Sequence, residues 1–293
     1  MKILFIGAVA FSARALCELI AMQAEVVGVC SLDQALHNAD HVDLKPIADR
    51  AGIPFRYTPD INAEEVMNWI RDLGPDIIFC FGWSRLIRSP LLALPQLGVI
   101  GFHPAALPAN RGRHPLIWAL VLGLTETAST FFFMDEGADS GDILSQVLVR
   151  IAAEDDAGIL YDRVCEVAME QIREFVPLLA NRTFQRKPQD NNSANSWRKR
   201  GPLDGRIDWR MSAETINNLV RGLGRPYVGA HFDYEGREIK VWRTGVESTD
   251  LLNIEPGKVL EVNERGVLIK AGIGAIRLFE TLPKVKPEVG SYL

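Results

Sequence analysis

Short apolar runs alternate with segments of helical period through the first half of the chain. That alternation restricts the fold more than any other feature of the sequence. Lys2 to Ile6, Glu25 to Cys30, Asp76 to Phe81 and Val99 to His103 read as strands buried on both faces. Between them, Arg14 to Met22, Leu44 to Ala51 and Glu64 to Leu73 carry apolar residues at helical spacing. Gly52-Ile53-Pro54 and Gly74-Pro75 punctuate the helix exits, where a helix feeds the next strand. The pattern predicts an α/β domain, with a mostly parallel, Rossmann-like sheet and helices on both faces. A dinucleotide site does not follow from it. The loop after the first strand, Gly7-Ala8-Val9-Ala10-Phe11, has one glycine where the dinucleotide fingerprint needs three, so NAD or FAD binding is not expected.

The second half reads differently. A long helical stretch, Ala157 to Leu179, precedes the polar segment Lys187 to Pro202, whose Asn, Gln, Ser and charge suggest a linker. A helical stretch from Ala213 to Arg221 follows. Beyond it, His231 to Tyr234 and Glu238 to Arg243 flank the hairpin signal Glu235-Gly236. Gly257 to Val262, Val267 to Ala271 and Ile276 to Thr281 supply further strands. The expected division is a catalytic domain over 1–186, a linker over 187–203 and a small C-terminal β-barrel-like domain over 204–293. That domain has three candidate roles: binding substrate, joining two copies in a homodimer, or capping the first domain. The exposed-looking aromatics Tyr227, Tyr234 and Trp242 do not choose among them.

At 47% apolar and 24% charged the 293-residue chain has globular composition, which argues against disorder or a disulfide scaffold. No window approaches the roughly 18 uninterrupted apolar residues of a membrane span, and Ile3 to Ile6 is too short for a signal-peptide core. A cytoplasmic protein with no membrane partner is expected. Cys17, Cys30, Cys80 and Cys165 have no CxxC spacing, so neither a zinc site nor a disulfide framework is read from them. The net charge of −5, with Arg198-Lys199-Arg200 as the only tight basic run, favours a small or nucleotide-sized ligand over nucleic acid.

Ligands in open parallel sheets sit beyond the carboxyl ends of strands. His103 stands at such an end, before the loop Leu107-Pro108-Ala109-Asn110-Arg111-Gly112-Arg113-His114-Pro115, which enters a helix near Leu116. Phe131-Phe132-Phe133-Met134 is another apolar strand, ending in Asp135-Glu136-Gly137-Ala138-Asp139-Ser140-Gly141-Asp142. A histidine beside a proline is often a packed core residue, and an Asp-Glu-Gly turn is often only a turn. A His and an acidic turn at two strand ends together suggest a general acid–base unit, in which the carboxylate fixes the imidazole tautomer.

These residues resemble the folate-dependent formyltransferases, the methionyl-tRNA formyltransferase-like family, and most of all its sugar N-formyltransferases. The resemblance extends to Asp204-Gly205-Arg206-Ile207-Asp208-Trp209, Asn217 to Arg221 and Arg225 to Ala230, which look like the start of a second domain in such proteins. It implies 10-formyltetrahydrofolate as co-substrate, without a metal. It also implies that an amine attacks the formyl carbon, that His103 meets the negative oxygen of the tetrahedral intermediate, and that Asp139 holds the imidazole and takes the amine's proton. By the same resemblance folate lies against Arg85, Leu86, Ile87, Asp135, Glu136, Gly137 and Ala138, with Arg113 close by, while Trp83 and Arg111 face the substrate. One position departs. Family members usually carry Asn two residues before the His, contacting the formyl oxygen, and here it is Gly101. Either a backbone N–H, a water or another residue supplies that contact, or the chain has different one-carbon chemistry, or it has lost activity. A substitute donor is the expectation.

The acceptor is read from charge. A tRNA enzyme of this family commonly carries a basic loop in its first domain, and the corresponding stretch, Ser31 to Val42, holds Asp33, His37, Asp40 and His41 but no Lys or Arg. The expectation is therefore formylation of a nucleotide-linked amino sugar, as in surface polysaccharide synthesis. Methionyl-tRNA is the alternative, and a formylfolate hydrolase or a non-catalytic folate- or sugar-binding protein a second one. His37 and His41 lie i, i+4, but without a third ligand they read as a polar loop, not a metal site.

Overall fold

The computed structural model describes residues 1–34, 40–249 and 251–293. The first elements are β1 (Ile3–Ile6), α1 (Ala10–Ala21), β2 (Val26–Ser31), α2 (Lys45–Ala51), β3 (Phe55–Tyr57), α3 (Glu64–Leu73), β4 (Ile77–Cys80), α4 (Ser89–Leu92) and β5 (Val99–His103). Next come β6 (Arg111–Gly112), α5 (Pro115–Val121), β7 (Glu126–Phe133), β8 (Ile143–Arg150), α6 (Ala157–Ala180) and β9 (Ser196–Trp197). The chain closes with α7 (Ala213–Gly222), β10 (Ala230–Tyr234), β11 (Arg237–Glu247), β12 (Val259–Asn263), β13 (Gly266–Lys270) and β14 (Ala275–Leu282). No helix among the described residues is long and apolar enough to cross a membrane.

Two compact units form. The first comprises Met1–Gly112, Thr127–Val149 and Asp162–Trp197, and the second Arg113–Glu126, Arg150–Tyr161 and Arg198–Leu293. Compactness thus cuts the chain differently from composition. The polar stretch read as a linker contributes residues 187–197, including β9, to the first unit.

The sheet of the first unit has the order β3-β2-β1-β4-β5-β7-β8, and β1 to β5 run parallel. Alternation along each strand sends its residues to two cores. Leu4, Ile6, Ile78, Cys80 and Val99 pack with Val66, Met67 and Ile70 of α3 and Leu91 of α4. On the other face, Phe102 stacks on Phe11 of α1 at 4.0 Å, and Phe131 meets Phe175 of α6 edge-on at 4.8 Å. Helix α1 begins at Ala10 rather than Arg14, and Ser12 in its first turn ties down the chain that enters it. Its buried hydroxyl accepts the Ala8 and Val9 N–H groups at 3.2 Å and donates to the Phe81 carbonyl at 2.5 Å.

Strand β7 runs antiparallel to β5, pairing Thr130 with His103 and Phe133 with Ile100. It begins at Glu126, five residues before the apolar run that marked it in the sequence. Its polar first half is buried nonetheless, because Thr127 and Thr130 donate to the carbonyls of Pro104 and Ala105 at 3.0 and 2.7 Å.

In the second unit β10, β11, β14, β13 and β12 form an antiparallel five-stranded sheet covered by α7. The Ser212 hydroxyl caps that helix by accepting the Thr215 N–H at 3.1 Å. Tyr227 and Tyr234 pack on its core, and the Arg225 guanidinium lies 4.6 Å over Trp242. These aromatics are half-buried rather than exposed. In the same sheet the Arg277 side chain, 2% exposed, is gripped by Glu247 and Glu261 at 2.5 Å each.

Candidate active site

Strand β5 turns Val99, Gly101 and His103 to the α3 side of the sheet and ends on His103, which is 4% exposed. The acidic turn reaches it by an unexpected route. Because β7 is antiparallel, the chain leaves it level with Ile100, three residues before the end of β5. The turn then folds back along the face, with the Phe133 N–H donating to the Asp142 carbonyl at 2.8 Å. Asp139 arrives with Oδ2 3.6 Å from His103 Nδ1.

Both ring nitrogens of His103 now face acceptors. His103 Nε2 lies 2.7 Å from the Asn110 carbonyl, an acceptor that requires a proton on Nε2, and Nδ1 is the nitrogen that faces Asp139. Asp139 Oδ2 in turn accepts the Gly112 N–H at 2.9 Å. Gly112 cannot be replaced in this role. Its φ is +102°, and a Cβ there would stand 2.3 Å from the Trp197 carbonyl oxygen. Asn110 (φ 65°) and Asp139 (φ 56°) also occupy the left-handed region, so both residues that face the imidazole are held in conformations costing about 1–3 kcal/mol. Such costs concentrate at functional sites.

Gly101 is a packed position. A Cβ there would lie 2.9 Å from Met134 Cγ and from Phe132 Cε1 and Cζ. The space next to His103 where the resemblance puts an amide side chain is filled with apolar atoms. No side chain fits at this position without repacking the wall formed by Phe132, Leu107, Ile143 and Met134.

The remaining sequence-expected residues fall into three groups. Arg85 and Leu86 lie exposed on the loop after β4, Arg85 donating to the Pro59 carbonyl and the Leu86 carbonyl accepting from Asn62 at 2.9 Å. Trp83 packs on the α3 core with its buried Nε1–H unpartnered. The Ile87 side chain, by contrast, is 3% exposed inside that core. Asp135 ties its own turn through Gly137 N–H (3.0 Å) and Ser140 Oγ (2.8 Å), while Glu136, Gly137 and Ala138 are exposed. Arg111 is engaged by Gln189 and Asn191, and Arg113 opens the second unit. His37 lies outside the described residues. His41 bridges to Val9, its Nδ1 buried without a partner.

The chain matches two family domains in order: formyl transferase over residues 1–176, and formyl transferase, C-terminal domain, over residues 201–290. It belongs to the formyl transferase family. A methionyl-tRNA formyltransferase of Alkaliphilus oremlandii is 31% identical over 295 residues, covering 99% of this chain and 94% of the relative. In structure it is similar to WlaRD, a sugar 3N-formyl transferase crystallised with dTDP and 5-N-formyl-THF. There the TM-score is 0.73 at 15% identity, with 97% of this chain and 99% of that one covered. An N-formyltransferase from Helicobacter canadensis, in complex with folinic acid and dTDP-3-aminofucose, gives 0.71 at 16%, covering 95% and 99%. Family membership makes this formyltransferase a folate-dependent enzyme, as its motifs implied.

A pterin-bearing donor fits the chemistry of the residues present. Half-buried Met134 follows β7 beside the packed Gly101, and the unpartnered Trp83 Nε1–H stands on the loop beyond β4. What sequence reading missed is the polar segment after α6. Gln189, Asn191 and Asn195 bond the Asp139 turn and the Asn110–Gly112 loop. The only signal was the richness in Asn and Gln that resembled a linker.

Proposed function

We propose that this formyltransferase moves the formyl group of 10-formyltetrahydrofolate to the amine of a nucleotide-linked amino sugar, with His103 and Asp139 as its catalytic pair. The carrying observation is the approach of His103 Nδ1 to Asp139 Oδ2, with Nε2 fixed on a carbonyl. The amine nitrogen adds to the formyl carbon and the bond from that carbon to the folate nitrogen breaks. The proton shed by the amine ends on the folate nitrogen. Asp139 is placed to accept it in passing. His103 in its charged form carries N–H on both nitrogens, one for Asn110 and one to meet the negative oxygen of the intermediate. The folate contacts proposed are Arg85, Leu86, Ile87 and the Asp135 to Ala138 turn, with Trp83 and Arg111 toward the acceptor.

The net charge of −5 and a Ser31 to Val42 stretch free of Lys and Arg support a sugar acceptor over a polyanion. So do the sugar-acting structural neighbours, which are covered almost whole. The sequence relative favours the second reading, methionyl-tRNA. The two separate in one assay. The protein is incubated with 10-formyltetrahydrofolate and either dTDP-linked 3-amino and 4-amino deoxyhexoses or charged methionyl-tRNA, and tetrahydrofolate release and product mass are followed. Turnover with a sugar and none with the tRNA is expected. Release with tRNA alone rejects the sugar, and release with no amine present identifies a hydrolase.

A further inference from the structure

We infer that Gln189 is a positioning residue of this site, holding Asp139 in register with His103 from a strap formed by residues 189–197. The inference rests on the reading of His103 and Asp139 as the catalytic pair. Gln189 touches neither side chain of that pair. Its carboxamide acts on the backbone that presents them.

Nε2 donates to the Asp139 carbonyl at 2.9 Å and to the Gly141 carbonyl at 2.6 Å. Oε1 accepts from Arg111 Nε at 3.2 Å and Nη2 at 2.8 Å. A primary amide is the one side-chain group with two hydrogens to give at one end and an acceptor at the other. The two loops it joins are those that surround the imidazole. One carries Asp139. The other carries Asn110, whose carbonyl holds Nε2, and Gly112, whose N–H holds Asp139 Oδ2.

The rest of the strap fastens the second loop. Asn195 Oδ1 accepts the Asn110 N–H at 2.6 Å, and the Asn195 carbonyl accepts the Arg111 N–H at 3.0 Å. Arg111 and Gly112 pair in parallel with Ser196 and Trp197, and Asn191 Oδ1 takes a further hydrogen of Arg111 at 2.9 Å. Asp139 needs such support because its left-handed backbone persists only where contacts over-determine it. The Gln189 amide is the bond to its carbonyl. Once this bond is lost, the turn can relax and the carboxylate move off the ring.

The test reads the geometry without an acceptor. The reporter is the Gly112 amide, whose hydrogen Asp139 Oδ2 accepts at 2.9 Å. Its ¹H shift is measured at one pH in the wild type, Gln189→Met, Gln189→Glu and Asp139→Ala. Asp139→Ala removes the acceptor and is expected to move the signal upfield. Gln189→Met, close in shape, is expected to move it the same way by at least half as much. Gln189→Glu keeps the acceptor for Arg111 but loses both donated hydrogens, and it too is expected to move the signal upfield. Thermal melts near that of the wild type establish that each variant is folded. If Asp139→Ala moves the signal and neither folded Gln189 variant does, the positioning role is wrong while the pair stands. If Asp139→Ala keeps the wild-type rate of tetrahydrofolate release, the pair itself is wrong and the role of Gln189 falls with it.

Discussion

His103 and Asp139 come from different loops, and each is anchored by backbone rather than by a second charged group. Replacing either by Ala removes a reacting group, so the expected effect is on turnover. His103→Ala and Asp139→Ala should each lose about 10²- to 10³-fold in kcat, measured as tetrahydrofolate release with the best acceptor of the panel. Retention of most of the rate by either variant would remove it from the mechanism. Gly101 gives a different kind of test. Gly101→Asn, which installs the family amide, should not improve catalysis, because Phe132 and Met134 fill the space. It should instead destabilise the fold by about 1–3 kcal/mol, the usual cost of overpacking. Urea melts check this, and combining it with Phe132→Ala should recover part of the loss.

Among the elements, the turn from β1 to α1 depends on one hydroxyl. Ser12 is fully buried and joins that turn to the exit of β4, so Ser12→Ala leaves two N–H groups and a carbonyl without their partner. A loss of about 1–3 kcal/mol is expected on thermal or chemical unfolding. The parallel strands were legible in the sequence because burial on both faces makes their runs continuously apolar. Strand β7 was legible only in its second half. Thr127, Ser129 and Thr130 read as polar, and the carbonyls that satisfy the two threonines belong to a turn more than 20 residues away. Its direction was not legible at all, since residue pattern does not distinguish a parallel from an antiparallel neighbour. His103 and Asp139 stood out through their motifs, yet the fold-back that unites them depends on pairing register. Gln189 was hidden for a physical reason as well, because a polar residue bonded to distant backbone has the same local composition as one in solvent.

At the scale of the whole molecule, the second unit carries its own electrostatic signature. Hydrogen bonds from Arg277 hold the Glu247 and Glu261 carboxyls below the ordinary glutamate range. Carboxylates more acidic folded than unfolded stabilise at neutral pH, and that contribution is lost as pH falls through their folded values. The melting temperature of this unit should therefore drop on acidification below about pH 4.3, the ordinary glutamate value. Arg277→Ala should lower the melting temperature at neutral pH, by removing the group that holds both carboxyls, and should flatten the acid dependence in calorimetry. The interleaved route of the chain has a temporal corollary. His103, Gly112 and Asp139 all leave the ribosome before Gln189 and Asn195 do. A nascent enzyme thus exposes its reactive groups while the brace that aligns them is still being translated, so competence to spend a one-carbon unit arrives late, after the sheet has been made.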